Sequence, residues 1–161
     1  MAKIWKNGSP KALTNGLQNA DAQSVYVIGN DVYVAGYEYT GMAATAIVWK
    51  NGVPTALTNG SQNAYASEVQ VVGNDVYVAG NENNGTKYVA KTWKNGVASP
   101  LSNGQNDVYL TSLFVSGTTV YATTYEYNGT NYTATLWKNA NPTNLTNGQN
   151  DTYVTSVFVV N

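Results

Sequence analysis

Four tryptophans recur at a fixed interval of 44 residues, and most of the chain keeps the same period. The four are Trp5, Trp49, Trp93 and Trp137. The first two copies, residues 5–48 and 49–92, are identical at about three-fifths of their positions. A period of this length is typical of repeat architectures, in which one supersecondary unit is stacked several times. Copies this close indicate recent duplication or engineering, and both origins stay open at this point.

The composition favours strands and turns over helices. Charged residues make up only 11% of the 161 residues, whereas Tyr, Thr, Asn and Gly are abundant. Tyr and Thr favour strands, and Asn and Gly favour turns. No segment has a sustained helical period, and no apolar run approaches transmembrane length. The sequence therefore predicts an all-β protein without a membrane span.

Charge and missing residue types narrow the chemistry. The formal net charge is −1 without a basic cluster, which argues against nucleic acid as a partner. The absence of Cys excludes disulfides and thiolate metal sites. The absence of His removes the commonest metal ligand and the usual general base near neutral pH. We therefore expect no metal and no cofactor, with Ca²⁺ held by converging acids and carbonyls as the open alternative.

Each unit is predicted to form a four-stranded antiparallel meander. In residues 63–106, the turns Gly73-Asn74, Asn84-Gly85 and Asn95-Gly96 separate four segments rich in strand-forming residues. Asn and Gly tolerate the positive φ of two-residue hairpin turns, and tight hairpins connect only antiparallel strands. A four-stranded meander repeated at this spacing predicts the blade of a β-propeller. The predicted strands are residues 66–72, 75–82, 88–94 and 97–101.

Apolar and proline positions predict how the strands are arranged. The first two strands are apolar on both faces, as expected between neighbouring sheets. Trp49 is expected to pack between sheets, across from Val32 and Pro54. In the last copy, Ala140 replaces the turn glycine, so we expect that turn to change its type. A proline lies on or beside each short fourth strand, which is typical of an outer edge; these are Pro10, Pro54, Pro100 and Pro142.

Taken together, the tryptophan, turn and strand positions resemble the short-blade β-propellers found in many bacterial proteins. The resemblance rests on the Trp-Lys-Asn-Gly motif and on Asp-Val-Tyr-Val-Ala-Gly at residues 31–36 and 75–80. The diglycine of kelch repeats and the Gly-His and Trp-Asp marks of WD repeats are absent. The resemblance implies a β-propeller of four-stranded antiparallel blades, about 3.7 repeats per chain, that acts as a binding or interaction scaffold.

The single domain, residues 1–161, does not hold a whole number of units. Residues 1–14 match the third and fourth strands of a further unit, and residues 152–161 match its first strand. This unit lacks its second strand, so the chain forms either a defective four-bladed ring or an association of copies that covers the exposed edges. We favour the homo-oligomer, because an unpaired Val157-Phe158-Val159 strand promotes aggregation. The complete blades are predicted at residues 20–58, 64–102 and 108–146.

One rim of the predicted propeller is suited to a sugar. Glu38, Glu82 and Glu126 occupy the same repeat position, at the end of the second strand. Aromatic faces stack on sugar rings, while amides and carboxylates bind hydroxyls. The alternative is a set of solvated strand ends in which Glu82 pairs with Lys87 across the hairpin. The flanking candidates are Tyr37, Tyr39, Asn81, Asn83, Tyr125 and Tyr127.

Two functional classes follow from these observations. The first is a non-catalytic scaffold, a fragment or engineered repeat protein that assembles with other copies. The second is a lectin-like module that binds carbohydrate or protein on a bacterial surface or secreted protein. Glycosidase chemistry needs two carboxylates in different environments, whereas the repeated glutamates are equivalent, so we expect no enzyme. No signal peptide precedes the first unit, and the localisation stays open.

Overall fold

The chain forms strands and turns throughout the part that the structure describes. A computed structural model describes residues 1–160, in which there are fourteen strands and no helix. The predicted all-β class is therefore confirmed. The strands are β1 (Lys3–Lys6), β2 (Ser9–Ala12), β3 (Ala20–Ile28), β4 (Asp31–Tyr39), β5 (Ala44–Lys50), β6 (Val53–Ala56), β7 (Ala64–Val72), β8 (Asp75–Asn83), β9 (Tyr88–Lys94), β10 (Val97–Pro100), β11 (Val108–Ser116), β12 (Thr119–Tyr127), β13 (Tyr132–Lys138) and β14 (Asn141–Asn144).

Twelve of these strands form three four-stranded antiparallel sheets, and β1 and β2 form a two-stranded one. The larger sheets contain β3 to β6, β7 to β10 and β11 to β14, each paired in the order of the sequence. They fall within the predicted units and confirm the four-stranded antiparallel meander. The sheets stack in sequence order, because β7 packs on β3, β4 and β5, and β11 packs on β7, β8 and β9. A propeller ring stays a prediction.

Two of the three predicted hairpin turns have the expected form. Asn95 and Gly96 have φ of 51° and 82°, and Gly73 has φ of 60°. The predicted Asn84-Gly85 turn is wrong, because the strands are joined by a four-residue loop that runs from Asn84 to Lys87. The Asn84 Oδ1 accepts hydrogen bonds from the backbone N–H groups of Thr86 and Lys87, which stabilises the longer loop.

The longer loop shifts the register of the third strand by two residues. Trp49 lies opposite Val34, not opposite the predicted Val32, and opposite Pro54 as predicted. Trp93 lies in the same way opposite Val78. Because side chains in a strand alternate with a period of two, the shift keeps the tryptophan on the same face of its sheet.

The tryptophans join each sheet to the preceding one. Trp93 is fully buried in a cluster that contains Ala46 of the preceding sheet, and Leu57 packs against the same cluster. Trp49 is buried in the same way against Ala2 and Leu13. The predicted role of the repeated tryptophan in packing between sheets is confirmed for Trp49, Trp93 and Trp137.

A bulge in each first strand supplies a second link between sheets. The register shifts just before Ser24, Glu68 and Ser112 in their respective strands. Each of these side chains accepts a hydrogen bond from a backbone N–H group 45 residues further along, on Val69, Leu113 and Val157 respectively. The first strands of successive units therefore lie side by side.

The two partial units differ from the complete ones. Residues 3–12 form the predicted β1–β2 hairpin. Residues 152–160, hereafter the tail, form no strand, so the strand predicted there is wrong, and Asn161 lies outside the described residues. A strand needs a hydrogen-bonded neighbour, and no strand of the described residues forms a ladder with the tail.

The last turn keeps the geometry of its counterparts although its glycine is replaced. Asn139 and Ala140 have φ of 48° and 64°, and Lys138 lies opposite Asn141 as Lys94 lies opposite Val97. The expected change of turn type is wrong. The hairpin instead holds an alanine in the left-handed region, which costs an L-residue about 1–2 kcal/mol.

We therefore predict that Ala140→Gly raises the free energy of unfolding by about 1 kcal/mol, because glycine removes this strain. Urea denaturation measures the change. Gly96→Ala is the matched control: no heavy atom lies within 4 Å of the added Cβ, so only strain opposes it. It should lower stability by a similar amount, and an Ala140→Gly variant no more stable than the parent chain would contradict the prediction.

Candidate functional site

The predicted rim residues lie where the second strands end. Glu38, Glu82 and Glu126 pair in register with Ala20, Ala64 and Val108, at the start of the first strands. The loops that connect successive sheets reach the same edge. The sequence therefore located this edge correctly, and the three glutamates occupy equivalent places in the three large sheets.

The loops between sheets are fastened to this edge by their last polar side chains. The Oδ1 atoms of Asn63, Asp107 and Asp151 each accept a 2.9 Å hydrogen bond from a backbone N–H group that opens a third strand. Lys87 lies 2.9 Å from the Asp107 carboxylate, and its ammonium lowers the pKa of that carboxyl together with the Tyr88 N–H. The donors of these three bonds are Ala44, Tyr88 and Tyr132.

The three glutamates have different neighbours although their backbone positions match. Glu82 forms a 2.6 Å ion pair with Lys91, and Glu126 accepts a 2.7 Å hydrogen bond from the Asn106 amide. The predicted Glu82–Lys87 pair is wrong. Lys91 lies opposite Gly80, two residues before Glu82, so a diagonal contact replaces the pair that a two-residue turn would have made.

Asn81 links two sheets and is not open to a ligand. Its side chain is 7% exposed, and its amide donates to the backbone carbonyl of Val108 and accepts a 2.9 Å bond from the Leu110 N–H. Both ends of the amide are thus occupied by β11. The predicted neighbour Asn83 accepts a 2.7 Å hydrogen bond from the Gly85 N–H in its own loop.

The main feature of the rim is a continuous network of tyrosine rings. Successive ring centroids lie 4.8 to 6.2 Å apart, from the first large sheet to the tail. These distances fall in the range of favourable aromatic pairs. Four members were predicted: Tyr37 and Tyr39 lie in the first large sheet, and Tyr125 and Tyr127 lie in the last one. The nine members, which we call the tyrosine network, are Tyr37, Tyr39, Tyr65, Tyr88, Tyr109, Tyr125, Tyr127, Tyr132 and Tyr153.

Sequence reasoning missed five members of the network, although the repeat contains a signal for them. Tyr65, Tyr109 and Tyr153 share one repeat position, and Tyr88 and Tyr132 share another. The strand register explains one of the ring contacts, because Tyr109 lies directly opposite Tyr125. A comparison of repeat columns for aromatic residues would have found both positions.

Four phenols of the network have a raised pKa and are neutral at physiological pH. Burial is the first cause that raises the pKa of Tyr37, Tyr65 and Tyr109, and a hydrogen bond with Tyr39 raises the pKa of Tyr65 further. Asp107 also raises the pKa of Tyr109 through its negative charge. The network therefore offers apolar ring faces together with hydroxyl groups that can donate or accept hydrogen bonds.

The acids of the rim are not arranged as a metal site. Within residues 1–160, no group of three or more acidic side chains lies close enough together to hold a metal ion. The acids therefore act at this edge as single carboxylates beside amides and aromatic rings.

Among residues 1–160, no helix could cross a lipid bilayer.

Comparison with known proteins leaves the family open: no protein-family model matches the chain, and a search of curated proteins finds no match.

We predict that Tyr65→Phe removes one phenol from the set of tyrosines that ionise above the ordinary tyrosine pKa. A raised folded pKa means that the folded chain holds the proton more tightly, so Tyr65 stabilises the fold below its unfolded pKa of about 10 and loses this effect as the pH rises through the folded value. Phenolate absorbance during alkaline titration measures the group. The same titration in concentrated denaturant is the control, and an unchanged late phase in Tyr65→Phe would contradict the prediction.

Proposed function

We propose that this chain is a non-catalytic β-propeller scaffold that associates with other copies of itself. Three observations support a propeller. The four-stranded meanders stack in sequence order, their first strands lie side by side, and their fourth strands are fully exposed. This is the arrangement of blades with inner strands near an axis and outer strands in solvent.

The main support for the proposed association is the exposure of Trp5. Its side chain is 66% exposed, whereas Trp49, Trp93 and Trp137 are 0%, 0% and 8% exposed. The three buried indoles lie against a preceding sheet, and Trp5 has no such sheet within the described chain. An exposed indole in an apolar surface is typical of an interaction site.

The surface around Trp5 is an apolar groove. A cavity of about 730 Å³ lies between β1 and β3, and its lining includes Ile4, Trp5, Val25 and Val27. Val25 and Val27 are 58% and 60% exposed, whereas the equivalent Val69 and Val71 are each 3% exposed. Covering this groove with protein would bury the same positions that the complete units bury.

Three aspartates with a lowered pKa support a non-catalytic role. Asp31, Asp75 and Asp107 each form an ion pair with a lysine at 2.7 to 2.9 Å, and Glu82 pairs with Lys91. Hydrogen bonds from Asn51 and Lys50 lower the pKa of Asp31, and the paired lysines help to lower the pKa of Asp75 and Asp107. An ionised acid bound to a lysine lacks the raised pKa that a general acid needs.

We predict that the purified chain has a mass of several chains in solution at micromolar concentration and above. The physical reason is the burial of the Trp5 groove, since apolar area removed from water stabilises association by about 25 cal/mol per Å² before the entropic costs. Light scattering after size-exclusion chromatography measures the mass. The mass of one chain at every concentration would contradict the proposal.

A second candidate function, carbohydrate binding, is favoured by the tyrosine network. Its ring faces suit a sugar ring, and its phenol hydroxyls suit the hydroxyl groups of the sugar. Tyr127 is 42% exposed and thus accessible to a ligand. This candidate does not depend on association, because the rim and the groove are formed by different residues.

We predict that Tyr127→Ala weakens binding to a neutral oligosaccharide about tenfold, equivalent to about 1.4 kcal/mol, because a stacking face is lost. Tyr127→Phe keeps the ring and should retain most of the affinity. A panel of neutral oligosaccharides on a glycan array, followed by calorimetry on the best one, provides the measurement. Absence of binding by the parent chain, or equal binding by Tyr127→Ala, would contradict this candidate.

A further inference from the structure

The junctions inside the chain share one packing rule. In each junction, a leucine after the fourth strand of one unit packs in the same cluster as the tryptophan 36 residues later in the next unit. The tryptophan therefore always belongs to the following unit and the leucine to the preceding one. The three pairs are Leu13 with Trp49, Leu57 with Trp93 and Leu101 with Trp137.

The two remaining members of these series are both exposed. Trp5 is 66% exposed, and Leu145 is 49% exposed, whereas Leu13 is 7% exposed. One face of the described chain thus presents the tryptophan half of a junction, and the opposite face presents the leucine half. The two halves are complementary to each other, but neither is complementary to itself.

The tail and the first large sheet form a second pair of complementary surfaces at the same two ends of the chain. In the junction between the first two large sheets, Tyr26 packs against the cluster that contains Val69 and Val71. Phe158 of the tail occupies the repeat position of Tyr26, three periods later, and is 75% exposed. The residues of the first large sheet that correspond to Val69 and Val71 are the exposed Val25 and Val27.

The tail already lies on the last sheet as the first strand of a further unit would. The Val157 N–H donates a 3.3 Å hydrogen bond to the Ser112 hydroxyl, as Val69 does to Ser24. The rings of Phe158 and Phe114 meet edge to face with centroids 5.0 Å apart. Phe158 therefore contacts the last sheet and leaves most of its surface exposed.

We propose that copies of this chain join head to tail through one composite unit. Trp5 of one copy packs against Leu145 of a second copy, and the tail of that second copy lies in the first copy's groove, with Phe158 over Val25 and Val27. This inference rests on the proposed association and names its surfaces. The occupant is a second copy because the chain itself presents the complementary half: Leu145 and Phe158 are exposed as Trp5, Val25 and Val27 are, and their counterparts pack together inside the chain.

Such a contact is heterologous, and it closes only when a ring of copies returns to the first one. The composite unit contains the tail and the β1–β2 hairpin, and thus lacks one strand relative to a complete unit. The groove of about 730 Å³ is lined by β1 and by the first two strands of the first large sheet. The tail therefore enters the groove through side-chain packing, without a backbone ladder to β1.

Two variants each disrupt one of the two surfaces of this head-to-tail contact, which we call the joint. Trp5→Ala removes the tryptophan half, and Leu145→Glu places a charge in the leucine half. Both positions are exposed in the single chain, so both variants should fold. We expect each to associate at least tenfold more weakly than the parent chain, because Trp5→Ala removes a central aromatic anchor and Leu145→Glu buries an unpaired charge. An equimolar mixture of the two should form a dimer of one copy of each, because one intact joint remains.

The mass of each variant and of the mixture, measured by light scattering, tests the inference. Met42→Ala is the matched control, since Met42 is fully exposed but lies outside both surfaces, and it should associate as the parent chain does. If the parent chain assembles but Trp5→Ala assembles equally well, or the mixture stays at the mass of one chain, the joint is wrong and association stands. If the parent chain itself has the mass of one chain at every concentration, association and joint are both overturned.

Discussion

The burial of one indole per unit against the preceding sheet is the interaction on which the rest of this structure depends. A four-stranded sheet with a four-residue outer strand exposes an apolar face that it cannot cover alone. Trp49 and Trp93 cover that face so completely that their indole N–H groups are buried without a hydrogen-bond partner. The apolar burial outweighs this cost. Trp137 differs, because its indole donates a 2.8 Å bond to the Thr124 hydroxyl.

The same constraint explains why the two faces at the ends of the sheet stack have opposite characters. Each unit buries its tryptophan on one side and receives the next tryptophan on the other, so the coupling has a direction. The exposed Trp5 at one end can pack against a leucine surface. The exposed Leu145 at the other end belongs to a surface against which a tryptophan can pack. Apart from Tyr153 in the tail, the tyrosine network shares no residue with the tail or with the groove beside Trp5.

Local patterns in the sequence predicted the sheets, and features that depend on partners were missed. The strands and the Asn95-Gly96 turn follow from residue type and spacing alone. The Asn84 loop could not be recognised, because the same Asn-Gly pair forms either a two-residue turn or the start of a longer loop. The role of Asn81 depends on contact with the next sheet, and so does the ring contact between Tyr65 and Tyr37. The tail matched a strand in sequence, but a strand exists only with its neighbour.

Fluorine NMR of the chain labelled with fluorotryptophan tests the central claim most directly, since each indole reports its own exposure to solvent. Assignment requires only a Trp5→Phe variant. We expect three resonances without a solvent isotope shift at any concentration, and a fourth, from Trp5, that shows this shift in dilute solution and loses it as the chains associate. A Trp5 resonance that stays exposed at all concentrations, or that is protected even in dilute solution, would contradict the account.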